Sequence, residues 1–134
     1  MDLRNVTTLL QVYDMPTSIR FYRDLLGFAL HSHSPHRGGD DPDRFHWVWL
    51  KRGDLNLMLN TAYEFDQERP VPPDPARVSA HADTTLYFEC HDLDAAFDHL
   101  RSHLPDLAPP HLTSYGMREL GLKDPDGYLI SLLG

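Results

Sequence analysis

The sequence is poor in cysteine, because Cys90 is the single cysteine among its 134 residues. No disulfide can form within the chain, and neither a zinc site of several thiolates nor a CxxC redox motif is available. The sequence also lacks any apolar run near the roughly 18 residues that cross a bilayer, and residues 1–5 lack the basic stretch followed by an apolar stretch that is typical of a secretory signal. We therefore predict a cytoplasmic protein with no membrane partner, held together by its hydrophobic core.

Basic side chains are also scarce, because 12 lysines and arginines stand against 20 acidic residues and leave a formal net charge of -8. Such a chain repels a phosphate backbone, so we predict no nucleic-acid partner. The P-loop, the dinucleotide-binding glycine motif, GxSxG and HExxH are absent as well. The remaining function classes include binding of a small organic molecule. An acidic chain attracts cationic molecules, although an acidic excess is also the ordinary way in which proteins avoid aggregation, and we favour this second interpretation of the charge.

A pattern of one strand, one helix and three strands is present, and it occurs twice. Asp14 and Asp92 are the predicted N-caps of the two helices, and aligning them places Thr7 on Thr85. The predicted elements lie at residues 6–12, 14–27, 28–31, 45–50 and 55–60, and again at 85–90, 92–100, 111–114, 117–122 and 128–133.

This duplication predicts one α+β domain over residues 1–134, made of two βαβββ modules at about 4–62 and 81–134. Residues 63–80 contain four prolines and several charges, which indicates an extended linker. A sheet covered by a helix on one face leaves its other face open, so two such modules are expected to enclose a cleft.

Four segments together carry a resemblance to a known family: Leu9–Asp14 running into Ser18–Phe28, Gly53–Leu59, Phe88–Ala96, and Tyr115–Glu119 leading to Asp124–Gly127. In these segments the chain resembles the vicinal oxygen chelate superfamily, which includes glyoxalase I, extradiol dioxygenases and bleomycin-resistance proteins. The resemblance implies two facing βαβββ modules and a homodimer.

Metal-using members of that superfamily place a His at the start of the first strand of each module and a Glu in each closing strand. In this sequence the two positions of the His ligands are occupied by Thr7 and Thr85. The two positions of the Glu ligands are occupied by Asn56 and Ser131, with Met58 as the alternative to Asn56. None of these residues offers imidazole, thiolate or carboxylate. We predict no metal site and no cofactor. The bleomycin-resistance branch, which holds a drug without altering it, is the branch that this chain resembles.

Strand alternation predicts which side chains line the cleft, since Leu10, Leu57, Phe88 and Ile130 should pack under the helices. The aromatic residues suit a planar ligand, and Glu89 or Glu119 suits a cationic group. Packing between modules or subunits explains the aromatic residues equally well, and Glu89 alone would also fit a solvated rim. The predicted ligand-binding residues are Leu9, Gln11, Trp47, Trp49, Asn56, Met58, Tyr87, Glu89, Glu119 and Ser131.

Histidines give a second, weaker pattern. His31, His33 and His36 precede three aspartates in a predicted polar loop over 33–44, where we expect adventitious metal binding at most. A metal-dependent lyase, isomerase or dioxygenase with displaced ligands is an alternative function, and its candidate ligands are His46, His81, Glu89 and Glu119.

Binding without catalysis is favoured, with an antibiotic or a metabolite as the small organic ligand. An interaction module without a small ligand is another alternative. The sequence leaves open the identity of the ligand and whether the cleft forms within one chain or across a dimer.

Overall fold

The computed structural model describes every residue from Met1 to Gly134 and divides into two units, Met1–Pro73 and Asp74–Gly134. Each unit contains one four-stranded sheet built in the order strand, helix, three strands, so the predicted α+β architecture of two βαβββ modules is confirmed. No helix has both the length and the apolar composition that crossing a membrane requires.

The N-terminal unit carries a sheet with the strand order β1-β4-β3-β2, in which β1 runs parallel to β4 and the other neighbours are antiparallel. Helix α1 continues directly into a π-helical turn. The elements are β1 (Thr8–Val12), α1 (Met15–Arg20), the π-helical turn (Phe21–Leu25), β2 (Ala29–His33), β3 (Trp47–Arg52), β4 (Leu55–Thr61) and a 3-10 turn (Asp66–Glu68).

The C-terminal unit repeats this arrangement with the strand order β5-β8-β7-β6, and β5 runs parallel to β8. An additional short helix precedes its first strand. The elements are α2 (Pro75–Ala80), a 3-10 turn (His81–Asp83), β5 (Thr85–Glu89), α3 (Leu93–Arg101), β6 (His111–Leu112), β7 (Arg118–Lys123) and β8 (Leu129–Leu133).

The two predicted N-caps act as the sequence indicates. Asp14 has an extended backbone, and its side chain accepts a hydrogen bond from the Thr17 amide at 3.2 Å. Asp92 accepts from the Ala95 amide at 2.9 Å. Each carboxylate satisfies an amide that has no partner within its helix, which is why the chain turns helical at both places.

Replacing Asp92 with alanine should lower the free energy of unfolding by about 1 kcal/mol, because the first turn of α3 loses its cap. Urea denaturation measures this change. Asp98→Ala is the matched control on the same helix, since the Asp98 side chain is 64% exposed in an ion pair with Arg101. Equal losses in the two variants would contradict the capping role.

One face of each sheet forms a core. In the N-terminal unit, Leu10, Val48, Leu50, Leu57 and Leu59 are buried, and α1 contributes Ile19 from the same unit. In the C-terminal unit the corresponding buried residues are Leu120, Leu122, Ile130 and Leu132, with Leu93 and Leu100 from α3. Alternation along the strands therefore leaves the opposite face of each sheet for other roles.

Residues 63–80 differ from the predicted extended linker. The chain makes a 3-10 turn at Asp66–Glu68 and forms α2 at Pro75–Ala80, where the Asp74 side chain accepts from the Ala76 amide at 3.0 Å. A proline in the first helical turn costs no hydrogen bond. The prediction of an extended stretch is therefore wrong for these elements, because Asp74-Pro75 starts a helix.

Candidate functional site

The open face of the N-terminal sheet, which we call the Trp face, carries both tryptophans of the chain. Strand register arranges its residues in two rows across β3, β4 and β1. The first row is Trp49, Met58 and Leu9, and the second row is Trp47, Asn60 and Gln11. Trp47, Trp49, Met58 and Asn60 are half-buried, whereas Leu9 and Gln11 are exposed.

Trp49 is held in place by its neighbours. Its indole N–H donates to Asn56 Oδ1 at 3.0 Å. The His31 ring meets it edge-on with centroids 4.9 Å apart. Lys51 Nζ lies 5.2 Å from the centre of its ring. A flat indole fixed by three contacts loses little side-chain entropy when a second flat group packs on it.

Trp47 differs from Trp49 because its indole N–H donates to no group of the chain. The side chain stands beside two amide residues, Asn60 and Gln11, whose side chains are 3.4 Å apart at their nearest polar atoms. The Trp face thus combines an apolar row with a row of hydrogen-bonding groups, which is the composition typical of small-molecule sites.

The open face of the C-terminal sheet, which we call the Glu face, carries the other predicted residues. Glu89 and Glu119 both pair with Leu133, one on each side. Two strand spacings separate their Cα atoms by about 10 Å. A cation above Leu133 would therefore have a carboxylate on either side.

Ser131 lies in the next row of the Glu face, between Tyr87 and Gly121. It is 4% exposed, and its hydroxyl has no hydrogen-bond partner. A buried hydroxyl without a partner costs about 1–3 kcal/mol, which a ligand acceptor or donor would recover. Tyr87 is 63% exposed, so the row also presents an aromatic ring.

Tyr115 and Glu119 interact on the same unit, since the Tyr115 hydroxyl donates to Glu119 Oε2 at 3.1 Å. Partial burial and this hydrogen bond to a carboxylate raise the pKa of Tyr115 above its ordinary value of 10.0. The neutral phenol is favoured because ionisation would place two negative charges together.

Replacing Glu119 with glutamine should lower the pKa of Tyr115 toward its ordinary value, since the amide can accept the hydrogen bond without carrying a charge. NMR titration of the tyrosine ring carbons measures the shift. Glu89→Gln, on the other side of Leu133, should leave the Tyr115 pKa unchanged. An unchanged pKa in the Glu119 variant would show that the interaction is absent in solution.

The register of the two sheets corrects one predicted position. Leu10 pairs with Leu59 as Phe88 pairs with Leu132, so Met58, not Asn56, is equivalent to Ser131. Both candidates share a face, and alternation alone does not distinguish them. The four positions at which the resemblance implies metal ligands are therefore Thr7, Met58, Thr85 and Ser131.

Neither unit offers donors for a divalent first-row metal at these positions, because a hydroxyl and a thioether in one unit and two hydroxyls in the other supply neither charge nor a basic nitrogen. The Ser131 hydroxyl is buried without a partner, and no group of three or more His, Cys, Asp or Glu side chains is arranged to hold a metal ion.

The histidines considered as displaced ligands have other contacts. His81 stacks on Tyr128 with ring centroids 3.9 Å apart, and its Nδ1 lies 2.7 Å from the Asp126 carbonyl. His46 Nδ1 lies 3.4 Å from Thr61 Oγ1. Both rings are thus engaged within their own unit.

The residues of the predicted His-rich loop are separated in the structure. His31 packs on Trp49, whereas His33 and His36 pack on Phe45 with centroids 4.2 and 5.7 Å away. The loop is also anchored, because Arg23 donates to both oxygens of buried Asp43 at 2.9 and 3.1 Å. That carboxylate raises the pKa of Arg23 above its ordinary value.

The N-terminal unit also contains a cavity of about 270 Å³, which sequence reasoning missed. It is lined by α1, by the connection between β2 and β3, and by residues that follow β4. Four arginines line it: Arg20, Arg37, Arg44 and Arg69. No motif marks it, because its charged residues come from three separate parts of the chain.

Comparison with known proteins gives matches over nearly the whole chain. Residues 5–132 match the family described as the Glyoxalase/Bleomycin resistance protein/Dioxygenase superfamily. The uncharacterized protein YaeR of Escherichia coli (strain K12) is 33% identical over 122 residues, which are 89% of this chain and 86% of that protein.

Solved structures show the same fold at lower identity. The bleomycin-binding protein of bleomycin-producing Streptomyces verticillus, in complex with copper(II)-bleomycin, is 20% identical with a TM-score of 0.61 and covers 98% of this chain and 96% of its own. Lactoylglutathione lyase from Agrobacterium tumefaciens is 19% identical with a TM-score of 0.67 and covers 99% of this chain and 94% of its own.

Proposed function

Because the chain belongs to the glyoxalase/bleomycin resistance protein/dioxygenase superfamily, we propose that it binds a small organic molecule without a metal ion. The Trp face is the surface that holds this ligand. The observation that carries the proposal is the placement of both tryptophans, half-buried and side by side, on the sheet face that the core does not use.

The ligand is planar, at least in part. A flat ring packs on indole with a favourable stacking energy beyond the area that it buries. The free N–H of Trp47 and the amides of Asn60 and Gln11 supply hydrogen bonds that fix its orientation.

The Glu face of the C-terminal unit is itself suited to a cationic group, because it carries Glu89 and Glu119. Their carboxylates lie on either side of Leu133, and the chain as a whole carries a net charge of -8. Acidic surroundings raise the local concentration of cations. The unpartnered hydroxyl of Ser131 is a further polar group on that face.

The residues at the superfamily's ligand positions support metal independence. The superfamily positions that hold metal ligands are occupied by Thr7, Met58, Thr85 and Ser131, which bind divalent ions poorly. We therefore propose that the chain binds, and so sequesters, an antibiotic or a metabolite; the Streptomyces verticillus protein of the same fold is named for binding bleomycin. A homodimer and a cytoplasmic location stay predictions.

The proposal predicts stabilisation by planar cations in the presence of a chelator. Bleomycin and proflavine are the probes, and a non-aromatic diamine of similar charge is the control. A probe at 100 times its dissociation constant should raise the free energy of unfolding by about 2.7 kcal/mol, visible as a higher melting temperature.

Metal analysis of untagged protein accompanies this measurement. Stabilisation by planar probes with metal-free protein supports binding without an ion. Stoichiometric iron, zinc, nickel or manganese would contradict the proposal and favour the metal-dependent alternative.

A further inference from the structure

The cavity of the N-terminal unit has a charge opposite to that of the chain. Four arginines and three aspartates line it, so its walls carry one excess positive charge in a protein with a net charge of -8. Two of the arginines have an aspartate of their own: Arg20 pairs with Asp41, and Arg69 pairs with Asp14 at 2.9 Å.

The other two arginines share one carboxylate. Asp66 lies 2.8 Å from Arg44 Nη2 but 3.6 Å from Arg37 Nη1, which is beyond a hydrogen bond. The Arg37 side chain is only 17% exposed, and it donates one hydrogen bond, at 2.8 Å, to the Glu64 carbonyl. Because a guanidinium has five N–H donors, most of its capacity is unused.

Three aromatic side chains form part of the wall. Tyr13 and Tyr63 meet edge to face with centroids 6.2 Å apart, and the Tyr13 hydroxyl donates to the Pro70 carbonyl at 2.7 Å. Phe45 is buried and lines the same cavity. The cavity therefore offers an apolar wall beside two guanidinium groups.

The arginines are held by the fold around them. The Arg37 amide donates to the Arg44 carbonyl at 2.8 Å, which closes the loop that carries both side chains. Bidentate pairing of Arg23 with buried Asp43 fixes the same loop. Guanidinium groups that are already positioned bind an oxyanion with a smaller entropy cost.

We propose that this cavity is a second binding site, separate from the Trp face, for a small organic oxyanion with an aromatic body. Its carboxylate or phosphate accepts hydrogen bonds from Arg37 and Arg44, and its ring packs against Tyr63 and Phe45. Arginine forks match the geometry of carboxylate and phosphate oxygens.

Benzoate, phenyl phosphate and benzylamine are the probes, and their binding is measured by NMR on isotope-labelled protein. The two anions should shift the amide signals of residues 37–45 and 61–69 with dissociation constants on the order of 1 mM, as expected for fragments of this size. The anion that binds more tightly shows whether the site prefers a carboxylate or a phosphate. Benzylamine has the same shape and the opposite charge, and it should not bind there.

Variants give the sharper test. Arg37→Gln should weaken the binding of benzoate about tenfold, since a charge-assisted hydrogen bond is lost. Asp66→Asn should tighten it, because the anion no longer competes with a carboxylate for Arg44 and Arg37. Arg101→Gln, at an exposed pair on α3, is the control and should change nothing.

The indole signals of Trp47 and Trp49 separate this site from the Trp face, and they should stay unchanged when benzoate binds. Weaker binding to Asp66→Asn, equal binding of benzylamine, or no shift around the cavity would each overturn the proposal. None of these outcomes bears on planar cations at the tryptophans.

Discussion

Replacing Arg77 with methionine should lower the free energy of unfolding by about 3–5 kcal/mol, the usual loss when a buried ion pair loses one partner. Arg77 Nη1 lies 2.7 Å from Asp126 Oδ1, and the Asp126 side chain is 1% exposed. Methionine fills a similar volume but leaves a buried carboxylate without this cation. The loss should be large because water does not reach Asp126.

Urea denaturation of the purified variant measures this loss. Arg101→Met is the matched control, because the Arg101 side chain is 59% exposed in its ion pair with Asp98 and should contribute little. Arg77→Lys keeps the charge and should recover part of the stability. A loss below about 1 kcal/mol for Arg77→Met would mean that α2 does not anchor the turn at Asp126.

Replacing Trp49 with alanine should weaken binding of the planar ligand by about 10- to 100-fold, since stacking of a nucleobase, also a flat ring, on an aromatic side chain contributes about 1–3 kcal/mol. Trp49 is fixed by Asn56, His31 and Lys51, so its ring is in position before the ligand arrives. Trp49→Phe keeps a flat ring and should lose much less.

Titration of the variants with the best planar probe measures these affinities. Phe65→Ala removes an exposed aromatic ring of the same unit that is not on the Trp face, and it should bind like the natural sequence. Melting temperatures show whether Trp49→Ala is folded. A folded Trp49→Ala that binds with unchanged affinity would place the ligand elsewhere.

Local signals in the sequence predicted much of the fold. Asp14 and Asp92 mark the helix starts because an N-cap needs only the residues within one turn. The faces of β3 and β4 follow from alternation, which placed Trp47, Trp49 and Met58 together. These features depend only on the spacing of residues along the chain, which the sequence gives directly.

Other features depend on contacts between distant residues, which spacing does not contain. Arg77 in the predicted linker meets Asp126 only after the C-terminal unit has folded. The choice between Asn56 and Met58 needed the pairing of β1 with β4, because the two residues share a face. The arginine cavity escaped prediction for the same reason, since Arg37 and Asp66 belong to different loops.

The most direct test of a metal-free small-molecule site at the Trp face is tryptophan fluorescence during titration with a planar cation, in buffer containing a chelator. Both tryptophans lie on that face, so emission reports on it without a label. Saturable quenching that Trp49→Ala weakens, with no metal in the protein, is the predicted result. Unchanged emission while the same probe binds, or binding that disappears with the chelator, would contradict the account.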